Sequence, residues 1–149
     1  MPLDFNKFAA EGTQFIRELA KELGYPQDTA RAGRVLRSIL HALRNVLNTE
    51  ESIQLLAHLP MFLKAVYVEN WTQHKSGKKV KHMKDFFYAI RKLDRHTAMY
   101  DFYTDDAIDN ALAVIFISLR KYISLGEMED IKAVLPKELK PIFNNVTMI

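Results

Sequence analysis

Metal chemistry is the first thing to look for in a chain with histidines at positions 41, 58, 74, 82 and 96. Two ligands reach one ion from a single helical face when they stand three or four residues apart. No two of these histidines do. His82 and Asp85 have that spacing, and such a pair can take a metal or make a surface hydrogen bond; spacing alone favours the hydrogen bond. Cysteine is absent, which excludes thiolate metal sites, disulfides, cysteine nucleophiles and cysteine-held iron–sulfur clusters. Asp105, Asp106 and Asp109, with Asp101 nearby, form a carboxylate cluster that acid–base chemistry or Mg²⁺ binding can use. The same residues fall at the start of a predicted helix, where the macrodipole favours negative charge. That electrostatic role accounts for them without a reaction.

The glycines, at positions 12, 24, 33, 77 and 126, are scattered, so no phosphate-cradling loop or dinucleotide fingerprint is formed. No serine lies in a nucleophile elbow, because no strand is predicted to carry one. No catalytic residue, metal or cofactor is therefore predicted. Two groups remain as candidate contact residues. Lys75, Lys78, Lys79, Lys81 and Lys84 stand together with no acid among them, and without them the remainder of a chain of net charge +3 is slightly acidic. Clustered lysines release counterions from nucleic-acid phosphates or anionic surfaces, yet the segment lacks the interleaved aromatics and arginines that base recognition wants. No predicted helix stands out with Arg, Asn or Gln on one face as a DNA-reading helix. The other group is aromatic: Tyr67, Trp71, Tyr100, Phe102 and Tyr103, most of them expected in the core or between units, some as anchors for a partner.

The elements that position these residues are helices. Apolar residues recur at steps of three and four, and no long stretch alternates with period two. Phe5, Phe8, Phe15, Ile16, Leu19 and Leu23 predict a first helix closed by Gly24 and Pro26, with Gly12 as a point of weakness. Asp28 caps a second, whose inner face is Ala32, Val35, Leu36, Ile39, Leu40, Leu43, Val46 and Leu47; Gly33 within it suggests close helix–helix approach. A short third helix runs from Asn48 or Thr49, Leu59-Pro60 breaks it, and a fourth carries Phe62, Leu63, Val66 and Tyr67. Residues 71–83 read as a basic loop. Helical spacing returns at Met83, Phe86, Phe87, Ile90 and Leu93. Beyond the aromatic turn 100–103, a long helix opens at Thr104 or Asp105. A short helix with Ile131 and Val134 follows, then Leu135-Pro136 and a last helix with Leu139, Ile142 and Phe143.

The pattern repeats at a spacing of 76, through Leu36 and Leu112, Ile39 and Ile115, Leu43 and Leu119, Arg44 and Arg120, and the pairs Leu59-Pro60 and Leu135-Pro136. Asn48-x-x-Glu51 and Ser124-x-x-Glu127 superpose as capping boxes, each predicted to satisfy two backbone N–H groups. The fold class expected is all-α: about eight helices in two similar four-helix units, at about 13–70 and 84–145, sharing one core. Each unit alone would be marginal at its size.

Leu40-His41-Ala42-Leu43-Arg44, Thr49-Glu50-Glu51, Leu59-Pro60-Met61 and Tyr67 through Trp71 resemble the first repeat of a bacterial family catalogued as domain of unknown function 2267. Ser124-x-Gly126-Glu127 and Leu135-Pro136 with Leu139 resemble its second. The resemblance covers about residues 13 to 143 and implies a duplicated all-α domain of a bacterial cytoplasmic protein. It brings no activity and no functional residues.

The absence of chemical motifs points to a helical interaction or scaffold module, with a protein partner or a homodimer. Two alternatives stand: phosphate or anionic-surface contact through the lysine segment, and an enzyme with a site in the cleft between units. No apolar run approaches the roughly 20 residues that span a bilayer, and the first residues lack a leader-like pattern. Lacking cysteine as well, the chain is expected in the cytoplasm.

Overall fold

A computed structural model describes residues 2–72 and 80–144, and among these there are eight α-helices, two 3-10 helices and no strand. α1 (Phe5–Leu23) is capped by Asp4, whose side chain accepts from the Lys7 N–H, and ends at Gly24 with φ 100°. It runs unbroken through Gly12. The helix accepts glycine there because a Cβ would stand 3.2 Å from Cβ of Phe62, so α4 (Met61–Val68) lies close against it. α2 (Thr29–Val46) is capped by Asp28, which accepts from the Arg31 N–H at 3.0 Å. Gly33 has open space where its Cβ would be, so the expected close approach is not made there.

α3 (Thr49–His58) starts with the complete capping box: Glu51 N–H donates to Asn48 at 2.8 Å, and Asn48 N–H donates to Glu51 at 3.1 Å. α5 (Met83–Asp94) leads through a 3-10 turn (Arg95–Thr97) into the single turn of α6 (Ala98–Asp101). α7 (Asp105–Leu119) is capped by Thr104, and α8 (Leu125–Val134) by Ser124. This second box is only half made. Ser124 accepts from the Glu127 N–H, but the Glu127 carboxylate turns away to His58, 3.4 Å distant. The last segment, Lys137–Phe143, is a 3-10 helix rather than an α-helix. Pro141 inside it has no N–H to give and its ring crowds the preceding turn, so α geometry cannot propagate.

α3 and α8 begin and end 76 positions apart (49 and 125, 58 and 134), and the prolines before the next element, Pro60 and Pro136, keep that spacing. Buried side chains from both halves form one contiguous apolar cluster. α1 packs on α2, α4 and α7. Its Phe15 ring meets Phe62 at 5.5 Å and Tyr122 at 6.2 Å, which ties α1 to α4 and to the turn after α7. Phe116 stacks on Phe143 at 4.5 Å, fastening the final segment to α7. Burial of such rings is the main stabilising term, at about 25 cal/mol per Å² of apolar surface.

Candidate ligand-binding cleft

α2 carries two stripes. Ala32, Val35, Leu36, Ile39, Leu40 and Leu43 enter the core. Beside them Arg34, Arg37, Ser38, His41, Arg44 and Asn45, also at steps of three, four and seven, line a cleft of about 950 Å³. The facing wall is the end of α5 and the 3-10 turn after it: Lys92, Leu93, Asp94, Arg95, His96 and Thr97. Glu69 and Asn70, just past α4, close one end. α2 packs along α5, so the cleft sits between the helices of the two predicted units.

All four α2 arginines are already engaged. Arg34 holds Asp101 in a fork, Nε to Oδ2 at 2.8 Å and Nη2 to Oδ1 at 2.9 Å. Arg37 reaches Glu69 at 2.7 Å. Arg31 adds to the first pair: Nε lies 3.5 Å from Asp101, Nη2 donates to the Tyr100 carbonyl, and the guanidinium lies between the Tyr25 and Tyr100 rings at 4.1 and 4.5 Å. Arg91 donates to the Phe102 carbonyl and to Asp105. Arg31 and Arg34 thus fix the short α6 turn against α2, and Arg91 ties the segment that follows it to α5.

His41 and Arg44 do a different job. Nε2–H of His41 donates to the Val66 carbonyl at 2.7 Å, and Nη1 of Arg44 donates to the carbonyls of Tyr67 at 2.7 Å and Glu69 at 2.9 Å. These are carbonyls at the end of α4, which a helix leaves without partners of its own. Burial holds the His41 imidazole below its ordinary value, consistent with a neutral ring. Ser52 and Tyr67 share a buried hydrogen bond of 2.7 Å, and burial pushes the Tyr67 hydroxyl up to about 12, so it stays protonated. Arg44 also stands over Trp71, 6.0 Å from the ring centre.

Asp94 is the unusual group. It is the last residue of α5, where the helix dipole disfavours a negative charge. The side chain is buried at 7% exposure, and its Oδ2 has no hydrogen-bond donor. Burial, then a hydrogen bond and repulsion from the Asp101 carboxylate, push Asp94 up to about 7. For Asp101 burial acts upward too, but the hydrogen bonds from Arg34 and Asp94 outweigh it and hold that carboxyl below its ordinary value. The two carboxyls compete for a proton, and Asp94 is the one held above the ordinary carboxylate range. The next residue, Arg95, stands at φ 60°, ψ −130°, a combination suited to glycine. Strain of this kind persists only where surrounding contacts enforce it, and it clusters at functional sites.

Lys75, Lys78 and Lys79, like His74, lie outside the described residues. Lys81 and Lys84 are exposed, the latter in the first turn of α5. His82 precedes that turn and its Nδ1 bonds to Glu138, not to Asp85. Of the aromatic candidates, Tyr67 and Phe102 are core side chains at 0% and 1% exposure, which removes them as surface anchors. Trp71 is half-buried against Tyr67, while Tyr100 and Tyr103 are exposed. No group of three or more potential metal ligands occurs among the described residues, and none of their helices is long and apolar enough to cross a membrane.

A family model described as Uncharacterized conserved protein (DUF2267) matches residues 12–142. The chain belongs to this family. Comparison with curated proteins gives no match. The DUF2267 match spans all of the cleft, and its family carries no assigned chemistry, so the reading of the site rests on geometry.

As a DNA-reading surface, no helix face with Arg, Asn or Gln stands out in the sequence; α2 carries such residues as the wall of a cleft. Its polar stripe, from Arg34 to Asn45, follows helical spacing as regularly as the apolar one, and scoring polar as well as apolar periodicity would have found it. The facing wall had no such signal, because Asp94 and Asp101 belong to different helices and are joined by a turn that Arg95 does not announce.

Proposed function

We propose that this DUF2267 chain is a helical binding module whose α2–α5 cleft takes a small anionic molecule bearing a phosphate, sulfate or carboxylate group. One observation carries the reading. Lys92, Arg95 and His96 line the cleft and, among the described residues, their side chains make no hydrogen bond or ion pair. Arg34 and Arg37, by contrast, already have carboxylate partners. Lys92 and Arg95 are cations in a partly enclosed space, where they repel each other, and an anion relieves that repulsion. Arginine adds planar donors that fit an oxyanion in pairs. The ligand gives the interaction-module expectation a chemical content.

The test is calorimetric titration with sulfate, citrate and a nucleoside monophosphate on the parent chain and on the Lys92→Gln/Arg95→Gln pair. At least one anion is expected to bind the parent, with affinity reduced roughly tenfold or more in the double variant. Absence of binding by all three, or equal binding to both proteins, contradicts the reading.

A second reading has its own observation. Met99, Tyr100 and Tyr103 stand 69%, 61% and 72% exposed on and after α6, next to the cleft wall. Tyrosines are favoured anchors in interfaces, so a protein partner on this rim is the supported alternative. Sedimentation at high concentration, parent against Tyr100→Ser/Tyr103→Ser, tests self-association there; a strict monomer in both removes the homodimer form of it. We also take the halves, about 13–70 and 84–145, as a tandem repeat joined by the segment 71–83, supported by the common bounds of α3 and α8. A cytoplasmic setting is proposed on the lack of cysteine.

A further inference from the structure

We propose that anion uptake in the α2–α5 cleft is coupled to uptake of one proton by the Asp94–Asp101 carboxyl pair, so that the module holds its ligand more tightly as pH falls. The inference rests on the anion-site reading above and adds its regulation.

The coupling follows from where the pair sits. Asp94 lines the cleft on the same turn as Lys92, Arg95 and His96. A carboxylate there opposes an incoming anion; the neutral acid does not. Burial and the Asp101 carboxylate favour the acid form of Asp94 and outweigh the Thr97 hydrogen bond and the Arg34 charge, which favour the carboxylate. On α6, Asp101 is the competing carboxylate, and its two oxygens are claimed by Arg34 of α2, with Arg31 of α2 close behind. On the 3-10 turn, Thr97 gives its hydroxyl to the Asp94 backbone carbonyl at 2.7 Å. On α5 itself, Asp94 lies at the negative end of the helix. Its Oδ2 receives no donor while the side chain is more than nine-tenths buried. Protonated, Asp94 donates to Asp101 and the pair carries one negative charge, which Arg34 balances. Deprotonated, it places a second charge at the cleft wall.

The sign is fixed by linkage. A bound anion makes the acid form still more favourable, so the complex binds a proton where the free protein has released it. Affinity is flat on the acid side of about pH 7 and falls as pH rises above it. His41 from α2 and His96 from the turn are the other groups of the cleft whose residue type changes charge near neutrality.

Sulfate is the probe, because it does not itself titrate near neutrality. Its affinity is measured from about pH 6 to about pH 8.5 on the parent and on Asp94→Asn, with calorimetry at about pH 7.5 in two buffers of different ionisation enthalpy to count protons. The parent is expected to lose roughly fivefold to tenfold in affinity over the upper part of that range and to take up a proton on binding, while D94N stays flat. A slope that persists in D94N belongs to the histidines and overturns the coupling alone. Sulfate binding to the parent with no slope and no proton uptake overturns it equally. Failure of sulfate to bind at any pH counts against the anion site itself, and the coupling falls with it.

Discussion

Positions 76 apart in the two halves lie in helical segments but differ in what they bury. Ser52 and Tyr67 of the first half correspond to Met128 and Phe143 of the second; His41 corresponds to Ile117, and Arg44 to Arg120. In the first half these four side chains make a buried hydrogen-bonded set that grips the end of α4. In the second, Met128 and Phe143 are core hydrocarbon, Ile117 is exposed, and Arg120 folds back onto the Ile123 carbonyl three residues away. If the halves are a repeat, as proposed, the polar set is not needed for folding, since the positions 76 further on do without it. Buried polar groups are tolerated only when satisfied, so their concentration along α2 marks the face that borders the cleft.

Breaking the comparison most severely should be Arg44→Ala. It removes two hydrogen bonds from a charged donor to the end of α4, at a cost of about 3 kcal/mol by chemical denaturation, against less than about 0.5 kcal/mol for Arg120→Ala. Equal losses at both sites would mean that the halves use their arginines alike.

Asp94→Asn comes next. The folded-state value of Asp94 is raised, so the stability tied to its proton is fully present below the ordinary carboxylate range and is lost as pH rises to about 7. D94N should therefore exceed the parent by roughly 2 kcal/mol at about pH 8, and the gain should shrink as pH falls from about 7 towards 4. A gain that grows on acidification would contradict the shared proton.

Arg95 offers a contrast with Gly24, since both follow a long helix at positive φ, 60° and 100°. Glycine adopts such backbone without strain, whereas arginine does so at a cost. Arg95→Gly should raise stability by about 1 kcal/mol while weakening anion binding, which thermal melts with and without sulfate would record. A melt that drops would show that the arginine side chain holds the turn rather than serving the cleft.

The smallest effect separates the two caps. Glu51→Ala should cost about 0.5–1 kcal/mol, as the full capping box loses its return bond, and Glu127→Ala only about a few tenths, since it loses a contact with a half-exposed His58. Parallel urea titrations of the two variants decide it.

Much of this was legible in the residue order. Asp28, Asn48, Thr104 and Ser124 cap the helices where side-chain oxygens and apolar spacing put them, because capping is a local competition settled within one turn. Departures came where a distant group intervened. Glu127 left its box for His58 across the α3–α8 contact, and Gly12 faces Phe62 of another helix, whereas Gly33 faces nothing. Pro141 was visible in the sequence, but the apolar spacing of Leu139, Ile142 and Phe143 fits a 3-10 segment as well as an α-helix. The cleft was the least legible part. Its α2 wall is periodic and readable in hindsight, while its other wall depends on an unsignalled backbone turn at Arg95 that brings Asp94 to Asp101.

The central claim is that ligand recognition is confined to the polar face of the first half's α2 and the turn opposite it. Backbone amide NMR of the chain during titration with sulfate and a nucleoside monophosphate tests this directly. Shifts should cluster at residues 34–45 and 92–97, with the matching stretch 110–121 unmoved. Shifts centred on 110–121, spread evenly over the helices, or absent with both anions would contradict it.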